Sequence, residues 1–182
     1  MELSNRRVAV LAESDYEDLE IWYPLLRLQE AGAAITVVGT GSASSYNSKH
    51  GYPIKVDVDA DQTDARSFDG VIVPGGWAPD RLRRYPGVLK LVRDADAQGK
   101  VVGAICHAGW VLCSAEILKG RTATSVAAIK DDMINAGANW VDREVVRDGR
   151  LVTSRTPADL PAFCRELISA IASVEEPALA KA

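Results

Sequence analysis

An apolar, β-branched run, Lys100-Val-Val-Gly-Ala-Ile105, stops at Cys106, and a helical pattern starts at once. No other stretch limits the fold as tightly. A buried strand must turn sharply into a helix there, which seats a thiol on a nucleophile elbow. The helix N-terminus beneath the sulfur offers free N–H groups and a positive dipole end. Both favour a thiolate and are expected to bring its pKa from about 8.5 into the range of roughly 3.5–7.5.

The rest of the chain reads as further units of the same kind. Arg7-Val-Ala-Val-Leu-Ala12 is a buried strand. A helix capped by Ser14 or Asp15 follows, carrying Leu19, Trp22, Tyr23, Leu26 and Leu28 at helical spacing and ending near Gly32. Ala34-Ile-Thr-Val-Val38 completes a βαβ opening, which argues for a parallel sheet with a right-handed crossover. Gly39 to Ser48 reads as a loop, and Tyr52, Ile54, Val56 and Val58 alternate as one half-exposed strand. Phe68 to Val73 is a buried strand running into Pro74-Gly-Gly-Trp77. A helix is expected from Val88 to Gln98, and the Cys106 helix should end near Gly120. Another helix passes through Ile129, Met133 and Ile134. Glu144 to Arg147 and Leu151 to Thr153 flank Asp148-Gly149, a hairpin signal. Pro157 opens a last helix through Leu160, Phe163, Leu167 and Ile171. The expected architecture is one α/β domain: a three-layer sandwich with a mostly parallel central sheet, flanking helices and a small antiparallel patch. Its core should span residues 7–172, with 173–182 as a flexible tail.

At 182 residues and 47% apolar content the chain can bury a sizeable core without disulfides. The net charge is -4 with no basic stripe, so nucleic acid is not expected as a partner. The apolar runs fall short of the ~20 residues of a membrane span, and the N-terminus has no apolar h-region. The cysteines, Cys106, Cys113 and Cys164, are odd in number and fit no disulfide or zinc spacing, which points to a reducing, cytoplasmic setting.

Ligands of open α/β sheets bind outside the carboxyl ends of the strands. Three loops meet that condition: Glu13 to Glu20, Pro74 to Asp80, and the Cys106 elbow. Cys106 is read as the reactive thiol, its flanking Gly103 and Gly109 strengthening the elbow, while Cys113 and Cys164 are read as structural. His107 is adjacent, but neighbours on a helix diverge by about 100°, so it serves as a base only if its ring folds back. His50 reads as a loop residue. Of the acids, Glu20 lies one turn deeper than Glu17. A buried carboxyl there would have a raised pKa and could share a proton with the thiolate. Gly75 and Gly76 allow a turn whose N–H groups, with that of His107, suit an oxyanion hole. Asp80 is placed either to orient His107 or to cap a helix.

Taken together these segments resemble the PfpI branch of the DJ-1/PfpI superfamily, within the class I glutamine amidotransferase-like fold. The resemblance runs from Arg7 to Ile171 through Glu17-Asp-Leu-Glu20 with Pro24, Lys49-His-Gly-Tyr52, Val71-Ile-Val-Pro-Gly-Gly76 and Ala104-Ile-Cys-His107. It continues through Ile129-Lys-Asp-Asp-Met-Ile-Asn-Ala-Gly137, Trp140-Val-Asp142 and Thr153-Ser-Arg-Thr-Pro-Ala-Asp-Leu160. It implies Cys106 as nucleophile, His107 beside it, Glu20 as the conserved glutamate and Gly76 in the oxyanion hole. Asp80 matches the position of an acid donated by a neighbouring subunit, one methylene shorter than the glutamate of archaeal members. Ala108-Gly109-Trp110 replaces Gly-Pro-Gln, and Trp110 with Trp77 is expected to narrow a pocket that also holds Glu17. The resemblance implies a cytoplasmic stress-response protein, acting without cofactor or metal on small reactive carbonyls, as a homodimer or higher oligomer. It also implies two alternatives, an intracellular cysteine peptidase and a cysteine-based oxidant sensor.

Overall fold

The computed structural model describes residues 1–174. Strand β1 (Arg7–Leu11), helix α1 (Asp18–Glu30) and strand β2 (Ala34–Gly39) open the fold. Three short strands follow: β3 (Ser45–Asn47), β4 (Pro53–Lys55) and β5 (Val58–Asp59). Next come β6 (Gly70–Val73), α2 (Ala78–Leu82), α3 (Pro86–Ala97), β7 (Val101–Ile105) and α4 (Gly109–Ser114). The remainder is β8 (Thr122–Ala123), α5 (Lys130–Asn135), β9 (Asn139–Trp140), β10 (Val145–Asp148), β11 (Leu151–Ser154) and α6 (Leu160–Ala172).

The central sheet has the order β10-β11-β7-β6-β1-β2-β5. Its pairs are parallel except β10 with β11, the expected hairpin, where Gly149 sits in the turn at φ 62°. From β1 the chain builds outward through β2 and β5, then returns to lay β6 on the other side of β1. That reversal opens a crevice at the carboxyl ends of β1 and β6, where such sheets bind ligands. Helices α1 and α6 pack together on one face; α3 and α4 lie over β6 and β7 on the other. Both β6 and β7 are buried along their whole length, as a strand covered on two faces must be.

Several local expectations change. Helix α1 turns Ile21, Pro24, Leu25 and Leu28 inward, and leaves Leu19, Tyr23 and Leu26 exposed. It is apolar on more than one side, and packing against α6 and β2 selects the stripe that periodicity alone did not. The alternation at Tyr52 to Val58 is two strands: β4 pairs with β3 in a separate antiparallel ribbon, and β5 joins the main sheet beside β2. Between them the Asp57 carboxylate accepts the Val37 N–H (2.8 Å) while the Asp57 N–H donates to the Val37 carbonyl (2.9 Å), so a side chain stands in for one bond of the ladder. The helix after Cys106 stops at Ser114, because Glu116 at φ 61° reverses the chain and sends Ile117 and Leu118 into the core. Ser173 and Val174, expected in the tail, are packed: Arg150 binds the Ser173 carbonyl at 2.9 Å, and Arg6 binds that of Val174 at 2.6 Å. The rest of that segment, 175–182, lies outside the described residues.

Gly103 and Gly109 serve packing. A Cβ at Gly103 would stand 2.6 Å from Leu167 and 2.9 Å from Ile72, and one at Gly109 would collide with Met133. Leu167 and Ile72 are fully buried and have no room to swing aside. Gly103→Ala is therefore expected to cost about 2 kcal/mol by overpacking α6 against β7. Denaturant unfolding reads this directly, and an unchanged midpoint would refute it.

Candidate active site

Tyr16 organises the rim. It is fully buried and bridges both Ser48 and Gly76, while its hydroxyl donates to the Tyr52 carbonyl at 2.6 Å. Lys49 N–H donates to the Tyr16 carbonyl (3.0 Å) and Trp77 N–H to that of Asp15 (2.9 Å). The loops after β1 and β6 and the segment Asn47 to Tyr52 are thus welded into one frame beside the elbow.

Cys106 has φ 62°, a left-handed conformation that a non-glycine residue holds only when its surroundings enforce it. The backbone N–H groups of Gly76 and His107 both point at its sulfur. Gly76 sits at φ 73°, where a Cβ would meet the Glu17 nitrogen at 2.5 Å. At Gly75 a Cβ would strike the Glu20 carboxyl and stand 2.6 Å from the Cys106 Cβ, so only glycine lets this loop approach the thiol.

The His107 ring does fold back: Nδ1 lies 3.3 Å from the sulfur. The helical divergence does not apply, because Cys106 lies outside helical backbone angles and α4 begins only at Gly109. The imidazole is flanked by Trp77 and Trp110, at 5.4 and 5.1 Å between ring centres. Burial, and then the charge of Lys49, hold its pKa below the usual value, so it is neutral at neutral pH.

Glu20 is fully buried; Oε2 accepts the Gly75 N–H at 2.9 Å and Oε1 has no hydrogen-bond partner. Burial, reinforced by the neighbouring Glu17, raises its carboxyl to about 8, so it carries a proton at neutral pH. The same burial, followed by the charge of an ionised Glu20, pushes the Cys106 thiol up to about 12, against the pull of the two N–H groups. The expected lowering by a helix end is outweighed because the elbow is buried against a carboxyl. Protonating Glu20 removes the charge that opposes the thiolate and leaves an O–H to donate toward it. Burial also raises Cys113 to about 11 and Cys164 to about 12.

A cavity of about 280 Å³ opens over these groups, lined by Glu17, Glu20, Lys49, Gly76, Trp77, Cys106, His107 and Pro157. The structure thus gathers Cys106, His107, Glu20, Gly76, Glu17 and Trp77. Trp110 lies outside the lining: it backs His107 and donates its indole N–H to Asp132 at 2.8 Å. Asp80 also lies outside it, half-exposed on α2 and paired with Arg84, and it does not cap that helix. His50 is held by Asp18 at 2.7 Å. Sequence reasoning assigned no role to Lys49, which pairs with Glu17 at the cavity. Only the topology that brings its segment to the rim reveals it. A larger groove, about 630 Å³, lies between β9 and the edge strand β10 and holds no cysteine or histidine.

A model of the DJ-1/PfpI family matches residues 6–170. The chain is 43% identical to Deglycase PH1704 of Pyrococcus horikoshii, over 89% of this chain and 97% of that one. It is 38% identical to YraA of Bacillus subtilis, which carries the name of a candidate cysteine protease, over 91% of this chain and 98% of that one. Among solved structures, a protein of Anabaena variabilis with DJ-1/ThiJ/PfpI-like and ferritin-like domains superposes with a TM-score of 0.89 at 40% identity. The match covers 91% of this chain and 48% of that two-domain protein.

Proposed function

This chain belongs to the DJ-1/PfpI family, and from that premise we propose that Cys106 is the nucleophile of a cofactor-independent enzyme for small reactive carbonyls. One observation carries the reading: a left-handed, strained Cys106 faces a protonated carboxyl, a neutral imidazole and two convergent N–H donors in one small cavity.

The steps follow from those groups. His107 Nδ1 takes the thiol proton, and the sulfur attacks the aldehyde carbon of a 2-oxoaldehyde such as methylglyoxal. The carbonyl electron pair moves to oxygen, between the Gly76 and His107 N–H groups, and the oxygen takes up a proton to give a hemithioacetal. A base then removes the hydrogen from the former aldehyde carbon, and a proton returns to the neighbouring carbon. His107 and Glu20 are the groups in place for this exchange. The resulting lactate thioester of Cys106 is hydrolysed by water, freeing the thiol. The net change adds one water to methylglyoxal to give lactate. On an early glycation adduct, a carbinolamine, the thiolate would instead displace the amine: the C–N bond breaks as the C–S bond forms, the amine leaves with a proton, and the resulting hemithioacetal follows the same path.

Incubation with methylglyoxal in buffer free of thiols and metals should produce lactate in proportion to enzyme. Lactate no faster than in enzyme-free buffer would remove the proposal. The peptidase reading draws on the likeness to YraA and on the Cys106–His107 contact. It also needs an acid on His107, which Asp80, paired with Arg84, does not supply within one protomer. We place the activity in stress response, in the cytoplasm and in a homo-oligomer. The three free thiols support a reducing compartment, and no helix among the described residues is long and apolar enough to cross a membrane.

A further inference from the structure

The carbonyl chemistry gives no step to Lys49, the cation of the cavity lining. Its side chain is 40% exposed, whereas its partner Glu17 is 12% exposed, so the cation stands outward of the carboxylate. Among the described residues, Glu17 is the only acidic side chain paired with the ammonium. An ammonium has three donors, so capacity remains for a ligand.

The other charges near the mouth are quenched. Glu20 holds a proton and His107 is neutral at neutral pH. The Asp18 carboxylate is engaged by the Ser48 hydroxyl at 2.6 Å and by His50 at 2.7 Å. The remaining lining, Trp77 and Pro157, is apolar. An entering molecule therefore meets an apolar wall, a nucleophile and the Lys49–Glu17 pair, whose cation is the more exposed member.

We propose that Lys49 is a specificity-determining residue that recognises an anionic group, and that the favoured substrates are 2-oxoaldehydes carrying a carboxylate a few bonds from the aldehyde. A carboxylate fits better than a phosphate, because a dianion calls for more than the single cation in the lining. The inference rests on the reading of Cys106 as a carbonyl-directed nucleophile. It requires no additional bond-making step: 4,5-dioxopentanoate would pass through the same hemithioacetal and thioester to 2-hydroxyglutarate.

The test compares kcat/KM for 4,5-dioxopentanoate and for methylglyoxal in the wild type, Lys49→Met, Lys49→Arg and Cys106→Ala. The wild type should prefer the carboxylate-bearing substrate, and Lys49→Met should lower that preference by about tenfold or more, the size of one charge-assisted hydrogen bond. Lys49→Arg should restore the preference, and added salt should erode it in the wild type. A Glu17→Gln/Lys49→Met double variant controls for an unpaired Glu17 and should lose the preference as well. A wild type without preference, or a ratio unmoved in Lys49→Met, overturns the inference and leaves the nucleophile reading standing. Undiminished turnover by Cys106→Ala overturns the nucleophile reading itself.

Discussion

Cys106→Ala should lower methylglyoxal turnover by a factor of about a thousand or more, the usual loss when a covalent nucleophile is removed. Neither of the other thiols can substitute. Cys164 is buried in α6, and Cys113 lies against Asp132 and Met133, away from the cavity lining. Stability should respond differently. Alanine keeps the left-handed backbone and its strain. Cys106→Gly releases strain worth roughly 1–3 kcal/mol, set against the lost burial of the sulfur. The pair of variants therefore separates chemistry from conformation: both inactive, with the glycine variant at least as stable as the alanine one. Lactate formation by Cys106→Ala within tenfold of wild type would be fatal to the assignment.

Glu20→Gln should stabilise the protein at neutral pH and flatten its stability profile. The folded carboxyl titrates at about 8, above the ordinary 4.5. The folded state thus binds this proton more tightly, and its contribution to stability is complete only below the ordinary value. It declines as pH rises from about 4.5 and is lost once pH passes about 8. At neutral pH the cost of keeping Glu20 protonated is about 3 kcal/mol, and it approaches 5 kcal/mol at higher pH. Glutamine keeps an acceptor for the Gly75 N–H and turns an amide donor toward the sulfur, without that cost. Urea midpoints from acid to mild alkali should converge at low pH and separate with rising pH, the variant on top. Parallel profiles would show that Glu20 is not the titrating group. Turnover should fall as well, because an amide cannot pass a proton.

Much of the fold was legible because local pattern and packing agree where strands are buried on both faces. The β1, β2, β6 and β7 segments announce themselves as short apolar runs, and the crossover rules place their carboxyl ends together. What escaped was decided by contacts between distant segments. Helix α1 carries apolar side chains on two sides, and only α6 shows that Leu19, Tyr23 and Leu26 face out. The alternation from Tyr52 to Val58 cannot reveal that Asp57 caps the β2 edge. At the site, the sequence suggested the gathering of Glu20, Gly76 and Cys106, since each follows a strand end or opens a helix. It made His107 conditional on a folded-back ring, a condition the structure meets because the helical offset does not apply beside a residue with φ 62°. It gave Trp110 a place in the pocket that the indole's bond to Asp132 denies. Lys49 had no signature, since a lone lysine in a polar loop looks like any solvated charge.

The double bridge made by Tyr16 has a consequence for ligand entry. Loops that clasp a substrate must give up backbone freedom as they close, roughly 1–2 kcal/mol for each residue fixed. Here that ordering takes place during folding, because Tyr16 ties the flanks of the cavity through main-chain bonds before any ligand arrives. A molecule of only a few atoms can contribute little binding energy of its own. A frame that asks nothing of it on arrival is the kind of site in which so small a molecule can still be held long enough to react.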